Sequence, residues 1–372
     1  MSTLTDLERL SQPQRVQSFQ ALAKSALELL YQHRLMTTDQ LHRLLTPGAR
    51  GSSYLRRQLG TLEEAGLVHR LRAQGESSGG NRLNQPYVWF LSEEGADAVE
   101  QAAEVFSRRY RVTPDSAAST RQAHTLAVNE VGIAFVTHAR RLGHDCTPLS
   151  WTPEVAHRIR DGMRRFEDDH VISDSVLHYV HVHRGARTML NLFIELDRAT
   201  MTAADLAKKV SAYGRLHEFV PQHPDRARRS AASTRPAWQH TYPAFPRLLI
   251  ILDGVSSSTL AKRLADRTED LYTLTRVDPR LARLARHLSV GVTTLQQLRE
   301  QGPFGGPPCG RRGWSGAGRR ASRWGSAYED RVEGGLLQAL RSGQDRCDRD
   351  DGEELVLAVE PGLHGAAFVV GQ

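Results

Sequence analysis

Over residues 16–30 the apolar positions Phe19, Leu22, Ala26, Leu29 and Leu30 recur at three- and four-residue spacing, the period of an amphipathic helix. Thr37-Thr38-Asp39-Gln40 then offers N-cap chemistry ahead of Leu41, Leu44 and Leu45, and Pro47-Gly48 ends a short second helix. Ser52 and Ser53 can cap a third, with Leu55, Leu59 and Leu62 on one face and Gly66 as its stop. Residues 67–71 and Tyr87–Leu91 are β-prone runs joined by a Gly/Ser/Asn-rich tip over residues 74–84. Helical pattern returns over residues 92–108, and residues 113–119 read as a linker.

The pattern then restarts. Gln122–Leu142 is apolar on nearly every side, which predicts a helix buried on several faces. Residues 171–183 and 188–196 form a predicted hairpin turning at Arg184-Gly185-Ala186, followed by a helix over residues 203–219. After an Arg/Ser/Pro-rich stretch come a buried strand at Arg247–Leu252, a helix over 257–274 and a strand over 288–293. Beyond Gly302 the composition turns to Gly, Arg, Pro and Trp without period. A basic DNA-contacting tail or a shifted reading frame in a GC-rich gene would produce it, and the second is preferred. The domains expected are therefore residues 15–110, residues 120–300, and a poorly ordered tail over residues 302–372.

Three helices followed by a two-stranded hairpin is the order of a winged helix, in which one helix enters the major groove and the hairpin tip meets flanking phosphates. Ser52, Ser53, Tyr54, Arg56 and Arg57 stand near the start of the third helix, and the hairpin adds Arg70, Arg72 and Arg82. Arginine suits both base edges and phosphates, so double-stranded DNA is the expected partner. Protein–protein or dimerisation modules share this pattern, and a homodimer is a candidate assembly.

Charge agrees with that partner. The 372 residues carry a formal net charge of +7, which favours an anionic partner without choosing between nucleic acid and an acidic membrane surface. Only Lys24, Lys208, Lys209 and Lys262 are lysines, which makes the local pair at 208–209 notable. Cys146, Cys309 and Cys347 form no CxxC pair, against a disulfide framework or structural zinc. The first twenty residues lack the apolar core of a signal peptide, and the run Leu248-Leu249-Ile250-Ile251-Leu252 is far short of a membrane span. A soluble, cytoplasmic protein is expected.

Candidate chemistry concentrates on the second-domain hairpin. Asp174 begins its first strand and Glu195-Leu196-Asp197 ends its second, with Glu195 and Asp197 on one face about 6.6 Å apart at the usual strand rise. Converging carboxylates are the oxygen donors Mg²⁺ takes, and its bound water can attack a phosphodiester. Lys208 or Lys209 would supply the cation for the developing charge. The plainer reading is that Glu195 and Asp197 pair with Arg187, Arg198 or the lysines and close the hairpin. His178, His181 and His183 also invite a metal, but no third ligand of suitable type accompanies the last two, and a partly exposed strand is the expectation.

The run of His124, Asn129 and Glu130, then Ile172-Ser173-Asp174, then Phe193 to Thr200, then Lys209 and Tyr213 resembles the replication-relaxation family over roughly residues 15–300. The resemblance implies a winged helix joined to a mixed-sheet α/β domain similar to the PD-(D/E)xK nuclease fold. It also implies DNA binding in replication or relaxation of plasmids and other mobile elements. Ser173 stands in place of the motif's proline and Asp197 in place of its lysine, so the catalytic set implied is Asp174, Glu195, Asp197 and Lys209, with the three carboxylates holding Mg²⁺. The alternative is a winged-helix transcriptional regulator with a catalytically inactive second domain.

Overall fold

The first helix follows its apolar period further than the sequence suggests. In the computed structural model α1 runs Gln12–His33, with Ala26, Leu29 and Leu30 buried. The structure describes residues 12–74, 85–103, 111–161, 165–198, 201–221, 235–254, 260–284, 287–304 and 368–369. After β1 (Met36–Thr37), the Thr37 side chain accepts from the Gln40 N–H while the Gln40 side chain answers the Thr37 N–H, a capping box that starts α2 (Thr38–Leu45). Helix α3 (Ser53–Glu64) begins at Ser52, whose side chain makes no capping bond, contrary to the expectation for that serine. Gly66, at φ +75°, supplies the left-handed turn that ends it.

Strands β2 (Val68–Arg72) and β3 (Tyr87–Leu91) pair antiparallel, Val68 with Leu91 and Arg72 with Tyr87, and β1 pairs with the other edge of β3. The sheet order is β1-β3-β2. Helix α4 (Glu93–Ala103) follows. The expected linker instead holds a helical turn, α5 (Pro114–Ala117), capped by Thr113, with Ala117 buried beside Leu35, Val88 and Phe90. Helix α6 occupies Gln122–Leu142 and is buried on several faces, from Val128 to Ala139.

The remaining strands are β4 (Trp151–Arg158), β5 (His170–His183), β6 (Ala186–Asp197), β7 (Arg247–Leu252) and β8 (Val290–Thr294), in that order across a mixed sheet. β5 and β6 are an antiparallel hairpin closed at His183 and Ala186, with positive φ at Arg184 and Gly185 as a two-residue turn of the hairpin type requires. β7 and β8 run parallel. A two-residue strand β9 (Phe368–Val369) pairs antiparallel with β8. The helices between are α7 (Phe166–Asp169), α8 (Ala203–Glu218), α9 (Leu260–Arg276), α10 (Pro279–Leu284) and α11 (Leu295–Gln301).

The chain divides into two compact units, Met1–Val155 with Ser173–Leu196, and Ala156–Ile172 with Asp197–Gln372. In the first, fully buried Trp151 stacks on His33 at 3.9 Å, its carbonyl accepts from Gln32, and His33 Nε2 meets the Pro148 carbonyl at 2.7 Å. In the second, α8 turns Leu206, Val210, Tyr213 and Leu216 inward, and α9 and α10 pack against it. No helix among the described residues is long and apolar enough to cross a membrane.

Candidate nucleic-acid interface and acidic hairpin

The order of apolar residues decides which side of α3 is free. Leu55, Gln58, Leu59 and Leu62 are buried, so Arg56 and Arg57 are left exposed, with the Arg57 guanidinium 5.4 Å from the Tyr54 ring centre. Ser53 is exposed, and Ser52 and Tyr54 are half-buried. The helix before it is fixed by polar contacts. Gln40 donates to the Leu126 carbonyl and to Glu130, Arg43 pairs with the same Glu130, and Arg140 donates to the Arg43 and Leu44 carbonyls.

On the hairpin, residues opposite one another share a face. Arg70 faces Trp89 and Arg72 faces Tyr87. Both guanidiniums lie over the Tyr87 ring, Arg72 at 3.8 Å and Arg70 at 4.7 Å, a cation–π arrangement that holds two flexible side chains in place. Arg72 also donates to the Gln85 carbonyl, and Arg70 is met by Glu63 at 3.1 Å. Arg82 lies outside the described residues.

Asp174 and Glu195 belong to the first unit. Ser175 pairs with Ile194, so extending that register by one residue sets Asp174 opposite Glu195. Asp174 Oδ2 accepts the Leu196 N–H at 2.7 Å, and Oδ1 lies 3.3 Å from His124 Nε2 on α6. Glu195 is buried. The sequence marks His124 only as part of the family resemblance, and its place on Asp174 has no signal in spacing.

Asp197 and Lys209 belong to the second unit. Asp197 is 2% exposed, and the Arg267 guanidinium bonds its Oδ2 and, through another nitrogen, the Met201 carbonyl. Its Oδ1 is buried with no hydrogen-bond partner among the described residues. The sequence points instead to Arg198, Arg187 or a lysine as the partner of Asp197. Arg187 pairs with Asp145, Arg198 approaches Asp253 at 3.8 Å, and Lys208 pairs with Asp205 one helical turn away. Lys209 is half-buried.

The strand histidines divide. His178 Nδ1 bonds the Asn191 side chain at 2.6 Å, while the His181 ring lies 4.5 Å from that of His144 and 6.2 Å from that of His183. Among the described residues no group of three His, Cys, Asp or Glu side chains is placed to hold a metal ion.

The family model described as replication-relaxation matches residues 27–228, more than half of the chain and a shorter span than the resemblance suggests. No curated protein and no solved structure matches.

Proposed function

Because the chain belongs to the replication-relaxation family, we propose that it binds duplex DNA during replication or relaxation of a plasmid or other mobile element, through a winged helix made of α1–α3 and β1–β3. The observation that carries this reading is the pairing of an exposed arginine face with a stacked one. Arg56 and Arg57 leave the free side of α3, and Tyr87 holds Arg70 and Arg72 on the hairpin. Guanidiniums fixed in this way suit phosphates and base edges, and fewer rotamers are lost on binding.

Binding of the full chain to a short duplex should weaken steeply with salt, because neutralised phosphates release condensed counterions. Replacing Arg56, Arg57 or Arg72 singly by Ala should flatten the log–log salt slope by about 1 for each phosphate no longer neutralised. An absence of duplex binding at low salt would remove the proposal, and with it the transcriptional-regulator variant, which uses the same surface.

Metal-dependent nicking is the second reading, favoured by the buried Asp197 Oδ1 without a hydrogen-bond partner among the described residues. Such a carboxylate oxygen is the kind of donor a hard cation satisfies. The family resemblance assigns Asp174, Glu195 and Asp197 to Mg²⁺ and Lys209 as the accompanying cation, although among the described residues no three such side chains are grouped as a metal site. Bound Mg²⁺ would supply a water activated for attack on a phosphodiester. Glu195→Gln should then abolish both Mg²⁺- or Mn²⁺-dependent thermal stabilisation and nicking of supercoiled plasmid, with duplex affinity unchanged. If the wild type gains no stability from either metal and nicks no DNA form, Asp174, Glu195 and Asp197 are structural.

A further inference from the structure

Helix α6 holds both arginine-bearing parts of the first unit, and the contacts by which it does so are polar. Near its start, buried Gln122 accepts the Gln74 backbone N–H at 2.7 Å and donates to the Ala117 carbonyl at 2.8 Å. Gln74 stands two residues beyond Arg72, where β2 leaves for the hairpin tip, and its side chain donates to the Ala118 carbonyl. About two helical turns further on, Glu130 takes the Gln40 amide at 2.8 Å and the Arg43 guanidinium, both from α2. Asn129 donates to the Leu35 carbonyl at 2.8 Å, just ahead of β1. Arg140 donates to the Arg43 and Leu44 carbonyls at 3.0 and 2.8 Å, and so serves the end of α2 from which the chain turns toward α3.

An apolar seam is satisfied in many registers, because area burial has no direction. Hydrogen bonds between buried groups are satisfied in one, and a slip leaves donors and acceptors unpaired at the cost of their desolvation. Helix α3 packs on α1 and α2, so fixing α2 about its own axis fixes where exposed Arg56 and Arg57 point. Gln122 and Glu130 are eight residues apart on one helix, about 12 Å at the α-helical rise. A rigid element thus sets the spacing between the root of the β2–β3 hairpin and the α2–α3 pair.

We propose that Glu130 and Gln122 are positioning residues for duplex binding, through which α6 holds α2–α3 and the hairpin in the one arrangement that meets DNA. The proposal rests on the DNA-binding reading and extends its module past residue 110 to include α6. It gives a role to a carboxylate that direct contact with a polyanion would only make unfavourable. Loosening either hold lowers the fraction of protein in the competent arrangement, without changing the contacts made once it is bound. Apparent affinity then falls by the same factor at every salt concentration.

The test uses the full chain and a short DNA duplex across a range of salt. Glu130→Ala should weaken binding by about tenfold, as when the competent fraction drops to about a tenth, with the log–log salt slope unchanged. Removing a negative charge would by itself strengthen binding to DNA, so the sign of the change separates positioning from bulk electrostatics. Glu130→Gln keeps an acceptor for Gln40 and Arg43 and should restore most of the affinity. Gln122→Ala, which frees the hairpin root, should act as Glu130→Ala does and decides the matter if that variant does not fold. Melting curves establish that each variant is folded at the temperature of the binding assay. Folded variants that match wild-type affinity would overturn the positioning role, as would a loss accompanied by a flattened slope. If the wild type itself binds no duplex, the DNA-binding reading falls and the positioning role with it. A wild type that binds beside equally active variants removes the positioning role alone.

Discussion

Replacing Arg267 by Leu should cost the native state about 3–5 kcal/mol, the usual consequence of removing one partner of a buried ion pair. Asp197 is 2% exposed, and Arg267 is its hydrogen-bonded cation among the described residues. Without Arg267 the carboxylate stays buried with two oxygens lacking protein donors there. Asp197→Asn in the wild-type background should cost less, because the Arg267 guanidinium keeps its bond to the Met201 carbonyl and some access to water. The double variant Asp197→Asn/Arg267→Leu should recover much of the stability, since no unpaired charge is left inside. Urea denaturation of the four proteins measures the coupling as a double-mutant cycle. A single Arg267→Leu variant within about 1 kcal/mol of wild type would show that water or another group already serves Asp197. The pair would then be no obstacle to a metal role for that carboxylate.

How much of this is legible in the sequence depends on the range of the interaction. Helix α6 and strand β7 have the bounds that periodicity predicts, because each is set by its own run of apolar residues. The α2 capping box and the hairpin turn at Arg184-Gly185 are equally local. Strand β4 has no such signal, since Pro153 interrupts its pattern and proline withholds a ladder donor. The structure places β4 at the sheet edge, where that omission costs little. Residues 113–119 resemble a linker because they are short and polar. Thr113 and Ser116 in fact cap each other across a helical turn that delivers Ala117 to the core.

The candidate sites divide in the same way. Arg56 and Arg57 are readable as exposed because the leucines of α3 fix the opposite face. The stacking of Arg70 and Arg72 on Tyr87 follows from the strand register, which sequence only approximates. Arg267 lies 70 residues from Asp197, in a charged stretch indistinguishable from a solvated helix face. His124 on Asp174 is likewise a product of tertiary folding. Charge counts place such residues on the chain but do not pair them.

Trp151→Ala should also be severely destabilising, by about 3–5 kcal/mol for loss of a fully buried tryptophan. The indole joins three segments of the first unit. It stacks on His33 of α1, its Nε1 donates to Asn129 of α6 at 3.4 Å, and Asn129 in turn donates to the Leu35 carbonyl at 2.8 Å. Gly132 makes room for the ring, since a Cβ there would come within 2.4 Å of Cδ2 and Cε2. Gly132→Ala should therefore cost about 1–3 kcal/mol by overpacking. That cost would arise although alanine is the better helix former by about 1 kcal/mol. In the Trp151→Ala background the sign should reverse. The obstructing ring is gone, the new methyl fills part of the cavity, and helix propensity acts unopposed. The two substitutions should consequently be non-additive by more than about 1 kcal/mol, well beyond the scatter of independent sites. Thermal or urea unfolding of the two single variants and the double variant measures this. Additivity within about 0.5 kcal/mol would mean that Gly132 is not held small by Trp151, and that the α1–α6–β4 junction is packed on other contacts.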